Sequence, residues 1–473
     1  MSEFVSSSIK TKLIGQLQHF FNSRANLKTS EFVRIEVPIE DLNLLAWLNQ
    51  NEFNIKTYWC DRKQEHEMAG LGKAHYIKGR TINGYTALFN KINSNLIRDS
   101  GDLRYFGGIS FNPTRYIDEE WHPFGAYYFV IPRFEVIRKG KKLYFVCNHH
   151  ISKDDRSVQL NKIIEEIDKV SFRGAELSGN TPSPIRRLNI PEREEWDSII
   201  ETALSDINRS EFEKIVLARK TIFEFLSPLN VFEILNKLKS VNPESVHFCF
   251  QVNNDYAFIG SSPELLYYRD GRKIYSEAIA GTRPRGINEK QDEILENELL
   301  TSQKDLREHR FVMNGVRDAL AEVCSQLYSS EDVSVLKLAR VQHLFTTYWG
   351  HLKKHTNDAD LLSRLHPTPA VGGYPGETSL KEIDHLEPFQ RGWYASPIGW
   401  IDRTSAKFTV GIRSGLIKRN LLYLYSGSGI VTGSQARSEW EEIENKIYNF
   451  LKVFNINGNA TLQQVSNTIS DKY

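Results

Sequence analysis

Three times along this chain, two runs rich in aromatic and β-branched residues are joined by a turn too short for the second run to lie parallel to the first. AYYFVIPRFEVI (126–137) is followed by Arg138-Lys139-Gly140-Lys141 and then KLYFVC. LLYYRDGRKIYSEAI (265–279) turns at Asp270-Gly271, and KFTVGIRSGLI reaches LLYLYSGSGIV through Lys418-Arg419-Asn420. A parallel partner needs a crossover of a dozen or more residues, so these pairs imply antiparallel sheet. FEKIVLARK, HFCFQV, DYAFIG and WYASPIGWID read as further strands, with HFCFQV, DYAFIG and the 265–279 run forming one meander. Residues 31–37 and 54–60 are also β-like. Helical patterns cover 8–22, 83–98, 154–170 and 191–209, one or two long helices span 288–327, and a last helix spans 436–453. The class is α+β, with mainly antiparallel sheet and helices packed outside.

A length of 473 residues allows two to four domains or one large body. SFRGAELSGNTPSPIRR (171–187) is the only stretch resembling a boundary, and no repeat of solenoid period is visible. Lys plus Arg total 60 and Asp plus Glu 59, which argues against a broad basic surface for nucleic acid. No apolar run is long enough for a membrane helix, and MSEFVSSSIKTKL lacks the apolar core of a secretory signal. The four cysteines are far apart, so a disulfide framework or zinc knuckle is not expected, and a cytoplasmic location fits. GSGIVTG (427–433) is the nearest approach to a dinucleotide fingerprint. Its third glycine comes one position late, and its strand belongs to a hairpin.

Several residues could carry chemistry. Glu439, Glu442 and Lys446 share one face of the last helix, and Asp305 and Glu308 share a face of an earlier one. Two such carboxylate pairs could hold Mg²⁺ in an all-oxygen cage, or be solvated salt-bridged faces. Alternation in FEKIVLARK places Lys214 with Val216 and Ala218. In a dry strand its pKa should fall toward that of a general base, whereas at an edge it would snorkel. Glu264 in GSSPELL could be an acid of raised pKa, or a turn residue bonding amides. Gly281, Gly427 and Gly429 could admit a ligand close to the backbone or be ordinary turn and bulge glycines. Arg413 lies mid-strand and needs an anion, either a ligand or a structural partner.

The segments KIVLAR, SSPELL, EAIAGTRPRG, REHRFV, VQHL, HPTPAVGG, RGWYASPIGWID, GIRSGLI, GSGIV and EWEEIENK occur in the order found in chorismate-utilising enzymes, which this sequence resembles over about residues 190–455. TYWCDR, AGLGKA, RYFGGISF and WHPFGAYYFVIPRFEV add a weaker likeness to the isochorismate synthases. The resemblance implies one large chorismate-binding fold: two stacked, mainly antiparallel sheets, helices outside, and the active site in the cleft between halves. Within this single domain, 1–190 would be the variable half, 191–455 the motif-bearing half and 456–473 a polar tail. The lysine of KIVLAR marks the members that use water as nucleophile, and Ala280 replaces the lysine expected of aminodeoxychorismate synthases. Tyr394-Ala395-Ser396 and Gly427-Ser428-Gly429 depart from the usual Y-A-G and G-A-G by small-for-small changes.

The resemblance therefore implies isochorismate formation. Lys214 would be the base and Glu264 the acid. Glu308 and Glu442 would be the main Mg²⁺ ligands, helped by Asp305 and Glu439. Arg413 and Tyr394 would hold the enolpyruvyl carboxylate. Gly281, Thr282, Gly427 and Gly429 would line the pocket, with His343 bracing the ring and Lys446 near the metal-bound carboxylate. The partner would be the small molecule chorismate, with no nucleic acid or membrane, in a monomer or weak homodimer. Alternatives are a salicylate synthase, an anthranilate synthase or a catalytically silent subunit.

Overall fold

The computed structural model describes residues 3–23, 31–96, 102–151, 156–173 and 176–454. The polar tail from Ile456 onward lies outside these residues, as does part of the first 30.

The chain runs through one pattern twice. The first pass is α1 (Glu3–Ser23), β1 (Glu31–Ile39), α2 (Leu44–Gln50), β2 (Lys56–Cys60), β3 (His66–Leu71), β4 (His75–Gly79), α3 (Tyr85–Leu96), β5 (Arg104–Ile109), β6 (Tyr127–Ile131), β7 (Phe134–Lys139), β8 (Lys142–Ile151) and α4 (Arg156–Lys169). A short strand, β9 (Arg186–Ile190), leads into the second: α5 (Arg193–Asn208), β10 (Lys214–Glu224), α6 (Val231–Val241), β11 (Val246–Asn253), β12 (Tyr256–Ser262) and β13 (Leu265–Asp270). Here an insertion follows: β14 (Lys273–Pro284), α7 (Glu289–Thr301), α8 (Gln303–Val323), β15 (Cys324–Ser329), β16 (Ser334–Lys337) and β17 (Val341–Leu352). The pattern resumes with α9 (Asp358–Leu365), β18 (Gly373–Tyr374), α10 (Gly376–Leu386), β19 (Pro397–Asp402), β20 (Ser405–Val410), β21 (Ser414–Lys418), β22 (Leu421–Ile430) and α11 (Ala436–Leu451).

The strands form two antiparallel sheets. The first has the order β1-β8-β7-β3-β2-β11-β12-β21-β22-β10-β18, with β9 also on β10. Read outward from the β2–β11 junction, both sides follow the same sequence of equivalent strands. The second sheet, β15-β17-β14-β13-β20-β19-β5-β6-β4, does the same outward from β19–β5. At that junction Gly107 faces Gly399, and a Cβ on either would come within 2.0 Å of a neighbouring strand's carbonyl, that of Tyr128 or Lys407. One hydrophobic cluster extends through both halves and includes the fully buried Trp47, Trp59, Trp121, Trp196 and Trp393.

Two expected strands and the expected meander are divided where the chain passes from one sheet to the other. AYYFVIPRFEVI divides at Pro132, which has no N–H for a ladder. The expected meander divides at Pro263-Glu264, leaving β12 in the first sheet and β13 in the second. KFTVGIRSGLI divides at Gly411–Arg413, so Arg413 is not mid-strand. It has φ of 50°, a left-handed conformation incompatible with a continuing strand. The 288–327 helical stretch ends at Val323. Residues 324–329 pair with β17 instead.

Candidate active site

Lys214 opens β10, and this end of the strand is held by polar contacts on its backbone. Arg391 donates to the carbonyls of Val216 and Val371 at 2.7 Å each, Glu387 accepts from the Ala218 amide at 2.7 Å, and Ser379 Oγ donates to the Lys214 carbonyl at 3.0 Å. The Lys214 side chain is 0% exposed, which removes the snorkelling alternative. Its Nζ donates to Glu308 Oε1 at 3.1 Å. Gly429 makes room for this pair. A Cβ there would lie 2.7 Å from Glu308 Oε1 and 3.1 Å from Lys214 Cε.

Glu264 occupies the crossing from β12 to β13 and is 4% exposed. Its carbonyl accepts from the Val410 amide at 3.1 Å and from Thr409 Oγ1 at 2.5 Å, which fixes the backbone at the crossing. Thr368 Oγ1 donates to its carboxylate at 3.4 Å. Burial, aided by the nearby Glu277 carboxylate, pushes the Glu264 carboxyl up to about 7. A carboxyl raised this far can hold a proton near neutrality, and it bonds Thr368 rather than backbone amides.

A cavity of about 920 Å³ opens in front of these groups. Its wall takes Gly427 and Gly429 from the first sheet, and Gly281 and Thr282 from the second, so it separates the two sheets. Glu264, Asp305, Glu308, His343, Tyr394, Arg413, Glu442 and Lys446 also line it. Lys214 stands one contact behind the wall, on Glu308. Two expected ligands are placed differently. Glu439 does not face the cavity; Ser428 Oγ donates to it at 2.5 Å and Lys304 pairs with it at 3.3 Å. Asp305 does face it, but its carboxylate is tied to Arg283 at 2.7 Å.

His343 Nδ1 donates to the Gly281 carbonyl at 3.0 Å and lies 3.1 Å from Thr282 Oγ1. Burial draws its pKa down to about 4, so the ring is neutral. With the proton on Nδ1 toward the Gly281 carbonyl, Nε2 is an acceptor, and it has no partner among the described residues. Tyr394 stacks on Tyr425 with centroids 5.5 Å apart, and burial moves its hydroxyl up to about 12. No described side chain bonds the Arg413 guanidinium. Burial lowers its pKa, with Tyr394 and Glu442 the nearest opposing influences. A half-buried, unpaired arginine on a cavity wall is a site for an anionic ligand.

The residues fit a magnesium ion in part. Among the described residues no three His, Cys, Asp or Glu side chains gather as a ready-made cage. Glu308 on α8 and Glu442 on α11 nevertheless face one cavity and offer only oxygen. Mg²⁺ is commonly held by one or two carboxylates, with water and substrate completing its shell. Each carboxylate now has a cation: Glu308 has Lys214, and Glu442 has Lys446 at 2.5 Å. Burial alone would raise the Glu442 carboxyl, but Lys446, Lys304 and Arg413 outweigh it and hold the group below its usual range.

Sequence reasoning missed Thr368, Tyr425 and the Arg391–Glu387 brace. Thr368 and Arg391 lay inside quoted motifs, yet only packing shows what they touch.

The family profile described as "Chorismate binding enzyme" matches residues 16–455. The sequence is 29% identical over 451 residues to the isochorismate synthase MenF of Bacillus subtilis (91% of this chain, 95% of that one). It is 32% identical over 462 residues to the chloroplastic isochorismate synthase 2 of Arabidopsis thaliana (90% and 81%). The structure of MenF, the menaquinone-specific isochorismate synthase of Escherichia coli, superposes with a TM-score of 0.81 at 27% identity, covering 94% of this chain and 99% of that one. With the motif order, the twofold-repeated sheets and the cavity in agreement, the chain belongs to the chorismate-binding enzyme family.

Proposed function

We propose that the protein is an isochorismate synthase, an isomerase that adds water at ring carbon 2 of chorismate and expels the ring carbon 4 hydroxyl. The observation that carries this reading is a cavity lined by a buried carboxyl of raised pKa and an unpaired arginine, with a fully buried amine one contact behind its wall. Lys214 removes a proton from the attacking water once Glu308 turns off the amine. Glu264 gives its proton to the departing hydroxyl, which leaves as water, while the ring double bonds shift between the two carbons. One water enters and one leaves, so the atoms balance. Arg413 and Tyr394 bind the enolpyruvyl carboxylate, and His343 Nε2 accepts a hydrogen bond from the ring side. Glu308 and Glu442 would hold Mg²⁺, which when bound supplies positive charge to the ring carboxylate. The curated relatives named isochorismate synthase, matched along nine-tenths of this chain, support the same reading. The likeness to a menaquinone-specific enzyme makes menaquinone synthesis the favoured destination of the product, and a cytoplasmic, small-molecule enzyme the favoured setting.

The test is to incubate the purified protein with chorismate, with and without Mg²⁺, and separate the products by chromatography. Isochorismate as the end product is expected. Salicylate with pyruvate would make it a salicylate synthase, anthranilate on adding ammonium would reverse the role given to Lys214, and no turnover would indicate a silent subunit.

A further inference from the structure

The acid at the β12–β13 crossing is held from the other half of the molecule. Arg62 lies in the turn between β2 and β3. That turn is closed by Asp61, which accepts the Glu65 amide at 3.1 Å and pairs with Lys407 of β20 at 3.8 Å. The Arg62 guanidinium forks onto Glu277 of β14, with Nη1 to Oε1 at 2.8 Å and Nη2 to Oε2 at 2.6 Å. The same Nη2 donates to the carbonyl of Pro263. Glu277 Oε2 in turn accepts the amide of Leu265 at 3.3 Å, and Tyr275 donates its hydroxyl to Oε1 at 3.3 Å. The residues before and after Glu264 are thus both fastened to one bidentate pair, whose carboxylate is buried.

We infer that Arg62, acting through Glu277, is a positioning residue for Glu264, so that the first half of the chain sets the placement and protonation of an acid in the second. The inference deepens the proposed function and rests on Glu264 being the acid. The charged groups facing Glu264 are Glu277 from β14, Lys214 from β10 and Arg62 from the β2–β3 turn, with Thr368 as its hydrogen-bond donor. Glu277 favours the protonated acid; Arg62 and Lys214 oppose it.

Two variants test this in the full-length enzyme. Glu277→Gln keeps an acceptor for Arg62 and Leu265 but removes the negative charge. The high-pH limb of kcat should move toward lower pH by about one unit, the effect of a close charge on a buried carboxyl. Arg62→Lys cannot fork and cannot hold Glu277 and Pro263 together. It should lower kcat about tenfold or more, with KM changed less than about twofold, because a small misplacement of an acid slows chemistry more than binding. An activity-independent readout is the carbonyl stretch of the protonated Glu264 carboxyl, isolated by infrared difference against Glu264→Gln and followed with pH. It should lose intensity at lower pH in Glu277→Gln than in the wild type. A Glu277→Gln titration superimposable on wild type, or an Arg62→Lys enzyme with full kcat, overturns the inference. A wild type that makes no isochorismate would instead refute the functional reading, and the infrared titration would still decide whether Glu277 governs Glu264.

Discussion

Arg133 and Arg413 occupy matching places in the two halves. Each directly precedes the strand by which its half returns to the first sheet, β7 or β21, and each is half-buried. Arg133 has protein partners: its Nε forms an ion pair with Glu166 of α4 at 2.9 Å, and its Nη1 donates to the Asn148 carbonyl at 3.0 Å. Arg413 meets a cavity. The helix matching α4 is α11, whose Glu442 pairs with Lys446 and leaves the arginine unpaired. The first half goes directly from β4 to α3, whereas the second inserts β14 to β17 with α7 and α8 at that point. That insertion supplies Gly281, Thr282, Asp305, Glu308 and His343 to the cavity wall. One frame thus serves twice, closed by an ion pair in the first half and opened by an insertion in the second.

Chelation should break the contrast most completely. Removing divalent cations with EDTA is expected to abolish turnover and Mg²⁺ to restore it, while the thermal midpoint of the whole chain stays nearly constant. Activity that survives exhaustive chelation would remove the Glu308–Glu442 proposal. Lys214→Ala comes next, with kcat reduced about 10²- to 10⁴-fold, the range for a general base; steady-state kinetics with product chromatography measures it.

The arginines themselves sharpen the comparison. Arg413→Met should lower kcat/KM about a hundredfold by losing a charge-assisted bond to the substrate, at little cost in stability, since no protein partner is abandoned. Arg133→Met should do the opposite, leaving kcat unchanged and costing about 1–3 kcal/mol in urea unfolding because Glu166 loses its partner. Equal effects on catalysis would mean that the two sites are not functionally distinct.

The last prediction concerns the stability linked to Glu264. Its carboxyl is near 7 in the folded protein and near 4.5 when free, so between those values the folded state binds the extra proton. The stability linked to it is fully present below about 4.5 and lost as pH rises through 7, on the order of 3 kcal/mol by pH 8. Glu264→Gln should therefore be inactive, yet more stable than wild type at pH 8 and no more stable at pH 4. Wild-type kcat should fall above pH 7 for the same reason, as the acid loses its proton.

Much of the site was legible because its chemistry is carried by unusual residue types in ordered strings: a lysine heading an apolar stretch of strand, a carboxylate after Pro263, paired carboxylates on two helices. Glu439 shows the limit. It shares a helix face with Glu442, but it bonds Ser428 and Lys304 and does not line the cavity. Helical spacing gives a side chain's direction, not which partner claims it. The long strands 126–137 and 407–417 misled for a related reason. An apolar run has the same composition whether it stays in one sheet or changes sheets at a proline or a left-handed residue.

The sequence by itself determined the antiparallel α+β class, through short turns between β-rich runs, and the kinds of acid, base and anion-binding groups available, through their local strings. Tertiary structure alone decided that two halves share one strand order without a visible sequence repeat, since backbone hydrogen bonding specifies a sheet while tolerating many side chains. It also decided which charges are paired. An ion pair such as Arg62–Glu277 joins residues 215 positions apart, and only the folded chain brings them within reach.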